Sequence, residues 1–287
     1  MSKNYRAELV GAFGCPIEEN PTGVMEEAAF AAKGLDYRYL TIRVEKGALK
    51  DAMAGVRAMN MRGINLTIPH KVEVLSYLDA LSPAAELIGA VNTVVNDSGR
   101  LWGENTDGKG FLQSLQLAGA SVADRTVTLL GAGGAGRAIA VECALAGAKR
   151  VLILNGSPQR GEELAALLRE KTAADSSYLP WQGTASLPEG TDILVNATPI
   201  GLYPKVNEKP DIDYDSITPE MIVTDVVFND PNTLFLQEAA RRGAQTIDGL
   251  GMLACQGALN FTLWTGEEAP LEVMREQLRR EFGLSGN

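Results

Sequence analysis

The 287-residue sequence contains one histidine and three cysteines, and both shortages exclude classes of site. Zinc sites built on histidine pairs need more than one histidine, and a Ser-His-Asp triad needs a histidine placed for that role alone. Cys15, Cys143 and Cys255 are far apart, without the close spacing of metal ligands, and each lies among small or apolar residues. We therefore expect free thiols, no metal site and a reducing, cytoplasmic compartment.

The sequence also lacks clustered positive charge and long hydrophobic runs. Its net charge is −10 and its Lys and Arg residues are scattered, which argues against a nucleic-acid partner. The most apolar stretch, 127–148, is interrupted by Arg137 and Glu142, and the first residues lack the apolar segment of a signal peptide. We expect no membrane span and a small-molecule partner, with the chain acting as a monomer or homodimer.

Strand-like and helix-like segments alternate along the chain, which predicts an α/β protein with mostly parallel sheets. The length suits two domains. We predict an N-terminal α/β substrate domain over residues 1–105, completed by 245–287, and a Rossmann-type doubly wound parallel sheet over 106–244. Residues 97–100, Asp-Ser-Gly-Arg, predict a hairpin turn between two strands. The stretch 204–219, rich in Pro, Asp and Lys, predicts an exposed loop.

A glycine-rich turn follows the predicted strand at 126–130. Residues 131–136 read Gly-Ala-Gly-Gly-Ala-Gly, which matches GxGxxG, and they open the next predicted helix. The string alone also occurs in ordinary tight turns, but a dinucleotide pyrophosphate needs this strand–turn–helix context, with close backbone approach and free N–H groups. The candidate cofactor-binding residues in the turn are Gly131, Gly133, Gly134, Ala135 and Gly136.

The residues after the second strand of this unit bear on the choice of cofactor. Residues 155–160 read Asn-Gly-Ser-Pro-Gln-Arg and include no Asp or Glu to bind the ribose hydroxyls of NAD. Arg160 could pair with the 2′-phosphate of NADP, with Ser157 and Asn155 beside it; alternatively, Arg160 is a solvated residue of the first helical turn. The expected cofactor is NAD or NADP, undecided between the two.

Lys71 is the candidate proton-transfer group. It ends the segment 65–71, Asn-Leu-Thr-Ile-Pro-His-Lys, in which Pro69 stiffens the turn after an apolar strand. A lysine can transfer a proton when burial or a neighbouring cation lowers its pKa from about 10.4 towards 7–8. Asp107, in the cluster Asn105-Thr106-Asp107, would orient the amine and a substrate hydroxyl while favouring the charged ammonium. The alternative is a solvated lysine at a helix start, where the helix dipole disfavours a cation.

Several motifs in order resemble the shikimate/quinate dehydrogenase family over nearly the whole chain. They are Asn65-x-Thr67-x-Pro69-x-Lys71, Gly89-Ala-Val-Asn92-Thr93, Gly103-x-Asn105-Thr106-Asp107-Gly108, Gly131-Ala-Gly-Gly134-Ala135, Asn196-Ala-Thr198-Pro199-x-Gly201 and Asp248-Gly-Leu-Gly-Met252-Leu-x-x-Gln256 with Phe261-x-Leu-Trp264. Together these motifs are more specific than any one of them.

The resemblance implies an NAD(P)-dependent oxidoreductase that interconverts a ring secondary alcohol and a ketone, as between shikimate and 3-dehydroshikimate or with quinate. Such an enzyme serves aromatic amino acid biosynthesis or quinate use. The resemblance implies Lys71 and Asp107 as the catalytic pair. The substrate-hydroxyl ligands that it implies are Thr67, Asn92 and Gln256, and the residues that it implies near the nicotinamide are Thr198, Gly249 and Met252.

The chain departs from the family in its first motif, Gly-x-Pro-Ile-x-His-Ser-x-Ser-Pro, which aligns with residues 14–23. The two serines that would hold a substrate carboxylate are Asn20 and Thr22 here. Both retain donors, but four glutamates at 18, 19, 26 and 27 would oppose a carboxylate, unless they point to solvent and favour the following helix. We therefore expect preserved chemistry on an altered substrate: a polyol, an aminated ring or a bulkier cyclohexene acid.

Two further departures affect ligand recognition, and two rival functions stay open. Gly156 replaces an arginine of the usual NADP clamp, and Phe228 replaces a tyrosine. One rival is a cofactor-binding sensor without activity, which would have no need of Lys71 and Asp107. The other is an enzyme like methylene-tetrahydrofolate dehydrogenase. The hydroxyl-binding residues Asn92, Asn105-Thr106-Asp107 and Gln256 favour a ring-alcohol enzyme over this rival.

Overall fold

The computed structural model describes residues 5–284, which divide into two compact units. The first comprises Met1–Thr106 with Gln256–Asn287, and the second comprises Asp107–Cys255. Each unit contains a six-stranded sheet covered by helices, so the predicted α/β class is confirmed. Within residues 5–284, helices are all too short or too polar to cross a membrane.

The strands in chain order are β1 (Glu8–Gly14), β2 (Tyr37–Arg43), β3 (Gly63–Leu66), β4 (Ala80–Leu81), β5 (Thr93–Asp97), β6 (Arg100–Glu104), β7 (Thr126–Leu130), β8 (Arg150–Asn155), β9 (Asp175–Pro180), β10 (Ile193–Asn196), β11 (Ile222–Asp225) and β12 (Gln245–Ile247). The helices are α1 (Thr22–Lys33), α2 (Leu49–Ala58), α3 (His70–Glu73), α4 (Pro83–Ile88), α5 (Asp107–Leu117), α6 (Gly134–Leu145), α7 (Pro158–Lys171), α8 (Leu234–Arg241), α9 (Gly249–Thr265) and α10 (Leu271–Glu281).

The first unit has the strand order β2-β1-β3-β5-β6-β4. Its β1, β2 and β3 are parallel, whereas β5 runs antiparallel to both β3 and β6. The hairpin predicted at 97–100 is confirmed, because Asp97 pairs with Arg100. Ser98 and Gly99 turn the chain with φ of 54° and 95°, the left-handed conformation that tight hairpins require.

The C-terminal end of α9 packs on this first sheet, where Trp264 lies close to Gly63. A Cβ built on Gly63 would collide with the Trp264 ring, and the Trp264 Nε1 donates to the Val94 carbonyl oxygen at 3.0 Å. Glycine at the start of β3 therefore admits the indole of α9. This contact keeps the polar residues earlier on α9, from Gln256 onwards, over the ends of β3 and β5.

The second unit has the strand order β12-β11-β10-β7-β8-β9, with all its neighbouring pairs parallel. The chain reverses its direction of strand addition between β7 and β10, which is the switch point where doubly wound sheets bind dinucleotides. The Rossmann-type fold predicted for this part of the chain is thus confirmed.

The stretch 204–219 differs from the prediction of an exposed loop. Ile212, Tyr214 and Ile217 are buried and pack with Phe235 in the core of the second unit. The prediction was wrong because the Pro, Asp and Lys content of this stretch concealed three apolar side chains, interspersed with polar residues, that cover the sheet. β9 was also not predicted, since it is a polar edge strand.

Candidate functional site

The lysine segment is held by backbone hydrogen bonds from two other segments. The N–H of Thr67 donates to the Phe13 carbonyl at 3.0 Å, and the N–H of Cys15 donates to the Ile68 carbonyl at 2.9 Å. The Val91 N–H donates to the carbonyl of Lys71 itself at 2.8 Å. Lys71 is half-buried, on a short helix of four residues. Its backbone is therefore fixed at both ends.

Side-chain contacts hold this segment against its neighbours. The Ile68–Pro69 peptide is cis, and the buried His70 ring donates from Nε2 to the Val44 carbonyl at 2.8 Å. A Cβ on Gly14 would collide with the Thr67 methyl group, so glycine lets the two segments approach closely. The one histidine is thus a structural residue that ties the segment to the end of β2, a role that sequence reasoning did not assign.

A buried polar cluster lies in the first unit where β3, β5, β6 and α9 meet. Asn92 Oδ1 accepts from the N–H of Thr106 at 2.8 Å, and its Nδ2 donates to Thr106 Oγ1 at 2.9 Å. Asn260 Oδ1 accepts from the hydroxyls of Thr93 at 2.7 Å and Thr106 at 2.8 Å. Asn260 Nδ2 then donates to Gln256 Oε1 at 3.1 Å. The structure thus connects two predicted substrate ligands, Asn92 and Gln256, through one network.

The direction of the hydrogen bonds at the other end of this cluster is fixed by a backbone carbonyl. Asn65 Nδ2 donates to the Asn92 carbonyl oxygen at 3.1 Å, so Asn65 must present Oδ1 on its other side. Tyr39 therefore donates its hydroxyl proton to Asn65 Oδ1, at 2.9 Å. Burial raises the pKa of the Tyr39 hydroxyl well above its usual range, and the neighbouring Thr22 side chain opposes that rise. The hydroxyl proton of Tyr39 points towards the polar cluster.

The segment that replaces the family's first motif has its own fixed geometry. Asn20 Oδ1 accepts from the N–H of Thr22 at 2.9 Å, so its Nδ2 remains as the donor. The Thr22 side chain is buried on the inward face of α1. Asn20 and Thr22 thus present one amide donor and a buried hydroxyl where the family's motif has two serines.

The four glutamates near this segment occupy different environments. Hydrogen bonds from the backbone N–H groups of Glu18 and Ile17, and from Arg43 at 2.9 Å, lower the pKa of the Glu18 carboxyl group. Glu19 is exposed, and Glu27 accepts from the backbone N–H of Tyr39. Glu26 is fully buried. The reading that all four point to solvent is wrong for Glu26, because it falls on the inward face of α1.

The second unit supplies a cradle for a dinucleotide pyrophosphate. Gly131 has φ 99°, and a Cβ on Gly136 would collide with the Gly131 carbonyl oxygen. A Cβ built on Gly133 or Gly134 would meet no other described atom within 4 Å, so the turn leaves room beside the start of α6. No side chain within the described residues caps that helix, which leaves N–H groups to bind an anion. The residues present fit a nicotinamide dinucleotide.

The residues expected to bind the adenosine half lie at the end of β8. Asn155 Oδ1 accepts from the Ala132 N–H at 3.0 Å, and its Nδ2 donates to the Ser157 carbonyl at 2.8 Å. Asn155 therefore holds the glycine turn in place. Ser157 precedes α7, and Arg160 is exposed on its first turn. Their contact with a 2′-phosphate stays a prediction.

A buried carboxylate orders the loop beside the glycine turn. Asn196, at the end of β10, accepts from the Thr198 N–H at 3.1 Å and from its hydroxyl at 2.6 Å. Asp225, at the end of β11, accepts from Asn196 Nδ2 at 3.0 Å and from the Thr233 hydroxyl at 2.7 Å. Burial raises the pKa of Asp225 to about 6. Sequence reasoning missed this positioning role, although Asn196 and Asp225 both end strands at the switch point.

The start of α9 completes the second unit's candidate residues. A Cβ on Gly249 would collide with the Val227 carbonyl oxygen, so glycine permits close packing there. Asp248 Oδ1 accepts from the Leu250 N–H at 3.0 Å and caps the helix. Met252 follows on the first turn and is half-buried. Their positions next to a nicotinamide stay predictions.

The proposed catalytic pair falls in different units. Lys71 belongs to the first unit, whereas Asp107 is the first residue of the second and begins α5 directly after Thr106. Thr106 itself is bound to Asn92, so the chain enters α5 from a fixed point of the polar cluster. The pairing of Lys71 with Asp107 remains a prediction.

Comparisons with known proteins agree with this architecture. Residues 12–94 match the model of the shikimate dehydrogenase substrate binding domain, and residues 249–279 match that of the shikimate 5′-dehydrogenase C-terminal domain. Shikimate dehydrogenase (NADP(+)) of Moorella thermoacetica is 45% identical over 279 residues, with 96% of this chain and 94% of that protein covered.

Two solved structures are similar over almost the whole chain. Ligand-free 5-ketofructose reductase of Gluconobacter sp. strain CHM43 has a TM-score of 0.93 and 46% identity, covering 97% of this chain and 100% of that one. Shikimate 5-dehydrogenase from Listeria monocytogenes, in complex with shikimate and NAD, has a TM-score of 0.89 and 38% identity, covering 96% and 98%.

The Rossmann-type unit with its glycine cradle, joined to a unit with a buried polar cluster, defines an NAD(P)-dependent oxidoreductase that acts on a CH–OH group. Its relatives are NADP(+) enzymes, and related structures hold NAD or NADP. The chain belongs to the shikimate dehydrogenase family, and its activity is of the shikimate/quinate dehydrogenase type.

Proposed function

We propose that this enzyme interconverts a ketone and a secondary alcohol on an uncharged, polyhydroxylated substrate of the 5-ketofructose kind. The observation that carries the proposal is the altered segment itself: Asn20 keeps one amide donor, Nδ2, and the Thr22 side chain is buried, where the family's two serines would hold a carboxylate. A carboxylate only accepts hydrogen bonds and needs several donors, whereas a substrate hydroxyl is served by one donor and can itself donate.

Overall similarity does not choose between the substrates. The relative that acts on shikimate is 45% identical and the 5-ketofructose reductase is 46% identical. The altered segment 14–23 is therefore the discriminating feature. Oxidation of shikimate is the second candidate, and it is supported by the family's hydroxyl-binding set at Thr67, Asn92 and Gln256.

The proposed reaction divides the work between the units. A bound NAD(P)H supplies the hydride that the carbonyl carbon receives. Lys71 gives a proton to the carbonyl oxygen in the reductive direction and removes it in the oxidative one, while Asp107 orients that oxygen. Asn92 and Gln256 bind neighbouring hydroxyls, for which the buried network of the first unit keeps their side chains in one orientation.

Initial rates with a panel of substrates test the proposal. NADPH and NADH oxidation is followed with 5-ketofructose, and NADP⁺ and NAD⁺ reduction with shikimate, quinate and uncharged polyols. We expect a kcat/KM for 5-ketofructose at least about 100-fold above that for shikimate, since a buried polar site that mismatches a ligand discriminates strongly. A strict requirement for a carboxylate on the substrate would overturn the proposal and leave the second candidate.

A further inference from the structure

Asn260 is a fully buried amide in α9, one helical turn after Gln256. Because residues four apart share a helix face, the two side chains are neighbours. The amide oxygen of Asn260 lies against the hydroxyls of Thr93 and Thr106, and its nitrogen lies against Gln256. A buried amide that is bonded at both ends cannot exchange its oxygen and nitrogen without losing these hydrogen bonds.

The backbone N–H of Thr106 fixes the direction of the hydrogen bonds that lead to Asn260. This N–H can only donate, so the Asn92 atom that faces it at 2.8 Å is the acceptor Oδ1. Asn92 therefore presents Nδ2 to the Thr106 hydroxyl oxygen, at 2.9 Å. Since Thr106 Oγ1 accepts this hydrogen bond, the proton of the Thr106 hydroxyl is directed to another acceptor.

The two threonine hydroxyls then decide the orientation of Asn260. The Oγ1 atoms of Thr106 and Thr93 lie 2.8 and 2.7 Å from Asn260 Oδ1, distances that are usual for O–H···O and short for N–H···O hydrogen bonds. Their distances to Asn92 Oδ1 are longer, at 3.2 and 3.0 Å, and that oxygen already accepts from a backbone N–H. Asn260 Oδ1 thus accepts both protons, and its Nδ2 faces Gln256.

The last hydrogen bond of this series sets the orientation of Gln256. Asn260 Nδ2 can only donate, so the Gln256 atom 3.1 Å from it is the acceptor Oε1. The other end of the Gln256 amide, the NH₂ group, therefore points away from Asn260. An NH₂ group can donate to a hydroxyl or carbonyl oxygen, whereas a protonated amino group has no lone pair with which to accept.

We propose that Asn260 is a positioning residue that holds the Gln256 amide with its NH₂ group towards the substrate, and so selects an oxygen of the substrate as the acceptor at that position. The inference rests on the proposed function, in which Gln256 binds a substrate hydroxyl. It adds the residue that orients Gln256 and the direction of the hydrogen bond. An aminated ring would place a donor against a donor there.

Asn260→Leu and Asn260→Ala test the role of the amide, since both replacements are good helix formers. In either variant the hydroxyls of Thr93 and Thr106 can turn to Asn92 Oδ1, so the polar cluster keeps an acceptor for them. Initial rates with 5-ketofructose and with shikimate give KM and kcat relative to the unchanged chain. We expect KM to rise about tenfold, the loss of one hydrogen bond between neutral groups. We expect kcat to change less than about threefold, because this hydrogen bond is made in both the ground state and the transition state.

A double-mutant cycle with Gln256→Ala separates positioning from a general loss of structure. Gln256→Ala alone should raise KM by about tenfold. Adding Asn260→Leu to it should change KM by less than about twofold, because the side chain to be oriented is gone. Asn96→Ala is the matched control, since it removes another buried amide of the first unit, one that donates to the Met61 carbonyl at 2.8 Å. Its KM should stay within about twofold of that of the unchanged chain.

The outcomes separate the two proposals. An unchanged KM in both Asn260 variants overturns the inference, and so does a rise that is equally large with and without the Gln256 side chain. If one Asn260 variant does not fold, the other decides the question. An unchanged KM in Gln256→Ala overturns the inference together with the binding role of Gln256. The substrate class is decided separately, by the preference of the unchanged chain between 5-ketofructose and shikimate.

Discussion

The two units build their binding regions from different materials. The cradle at residues 131–136 is made of backbone: glycines, a positive φ and the N–H groups at the start of α6. The region around Asn20, Tyr39 and Asn92 is made of side chains whose donor and acceptor directions depend on one another. A binding site made of backbone groups keeps its ligand when nearby side chains are substituted. A network of side chains changes its specificity when one of its residues is substituted.

The largest expected effect comes from removing the proton-transfer group. Lys71→Ala should lower kcat by about 10²–10⁴-fold, the usual contribution of general acid–base catalysis, while cofactor affinity stays unchanged. Stopped-flow or steady-state rates with 5-ketofructose and with shikimate measure this effect. Lys46→Ala, at an exposed lysine, is the control. Near-normal turnover by Lys71→Ala would refute the assignment.

The backbone cradle can be tested without altering the first unit. Gly133→Asp places a carboxylate where the pyrophosphate would lie, and a Cβ there meets no described atom within 4 Å. We expect the dissociation constant for NADPH, measured by fluorescence, to rise at least about 100-fold through like-charge repulsion. Gly133→Ala is the matched control and should change the constant much less. Equal effects of the two variants would show that the added side-chain volume, and not its charge, weakens NADPH binding.

The buried Asp225 makes the free energy of unfolding depend on pH. Its folded pKa is raised from 3.8 to about 6, so the native state keeps a proton that the unfolded chain releases between those values. The stabilising effect of this proton is fully present below the unfolded pKa and is lost as the pH rises through about 6. It amounts to at most about 3 kcal/mol.

Asp225→Asn should remove this dependence. We expect the free energy of unfolding of the variant, minus that of the unchanged chain, to increase as the pH rises from about 4 to 7. Urea titrations at several pH values measure the difference. A difference that is flat across this range would show that Asp225 has the same pKa in both states.

The smallest expected effect concerns the choice between NADPH and NADH. If Arg160 pairs with the 2′-phosphate, Arg160→Ala should reduce the ratio of kcat/KM for NADPH over NADH by about tenfold, the loss of one charged hydrogen bond. Lys171→Ala, an exposed cation at the other end of α7, is the control. An unchanged ratio would identify Arg160 as a solvated helix residue.

Local patterns in the sequence were enough to predict the α/β class, the Rossmann-type sheet and the glycine turn. Each depends on local patterns: apolar strands, a glycine string at a strand–helix junction and a hairpin turn at 97–100. It also indicated that residues 14–23 depart from the family's carboxylate motif. These features could be predicted because each depends on residues that are close together in the sequence.

The roles of the residues that join distant segments became clear only in the folded chain. Asn260 accepts hydrogen bonds from Thr93 and Thr106, which precede it by more than 150 residues in the sequence, and no local pattern predicts these contacts. The backbone carbonyl of Asn92 sets the orientation of Asn65, and from there the direction of the Tyr39 hydroxyl proton. The burial of Glu26 follows from packing as well. Hydrogen-bond direction is a property of a complete network, so it could be assigned only once every partner was in place.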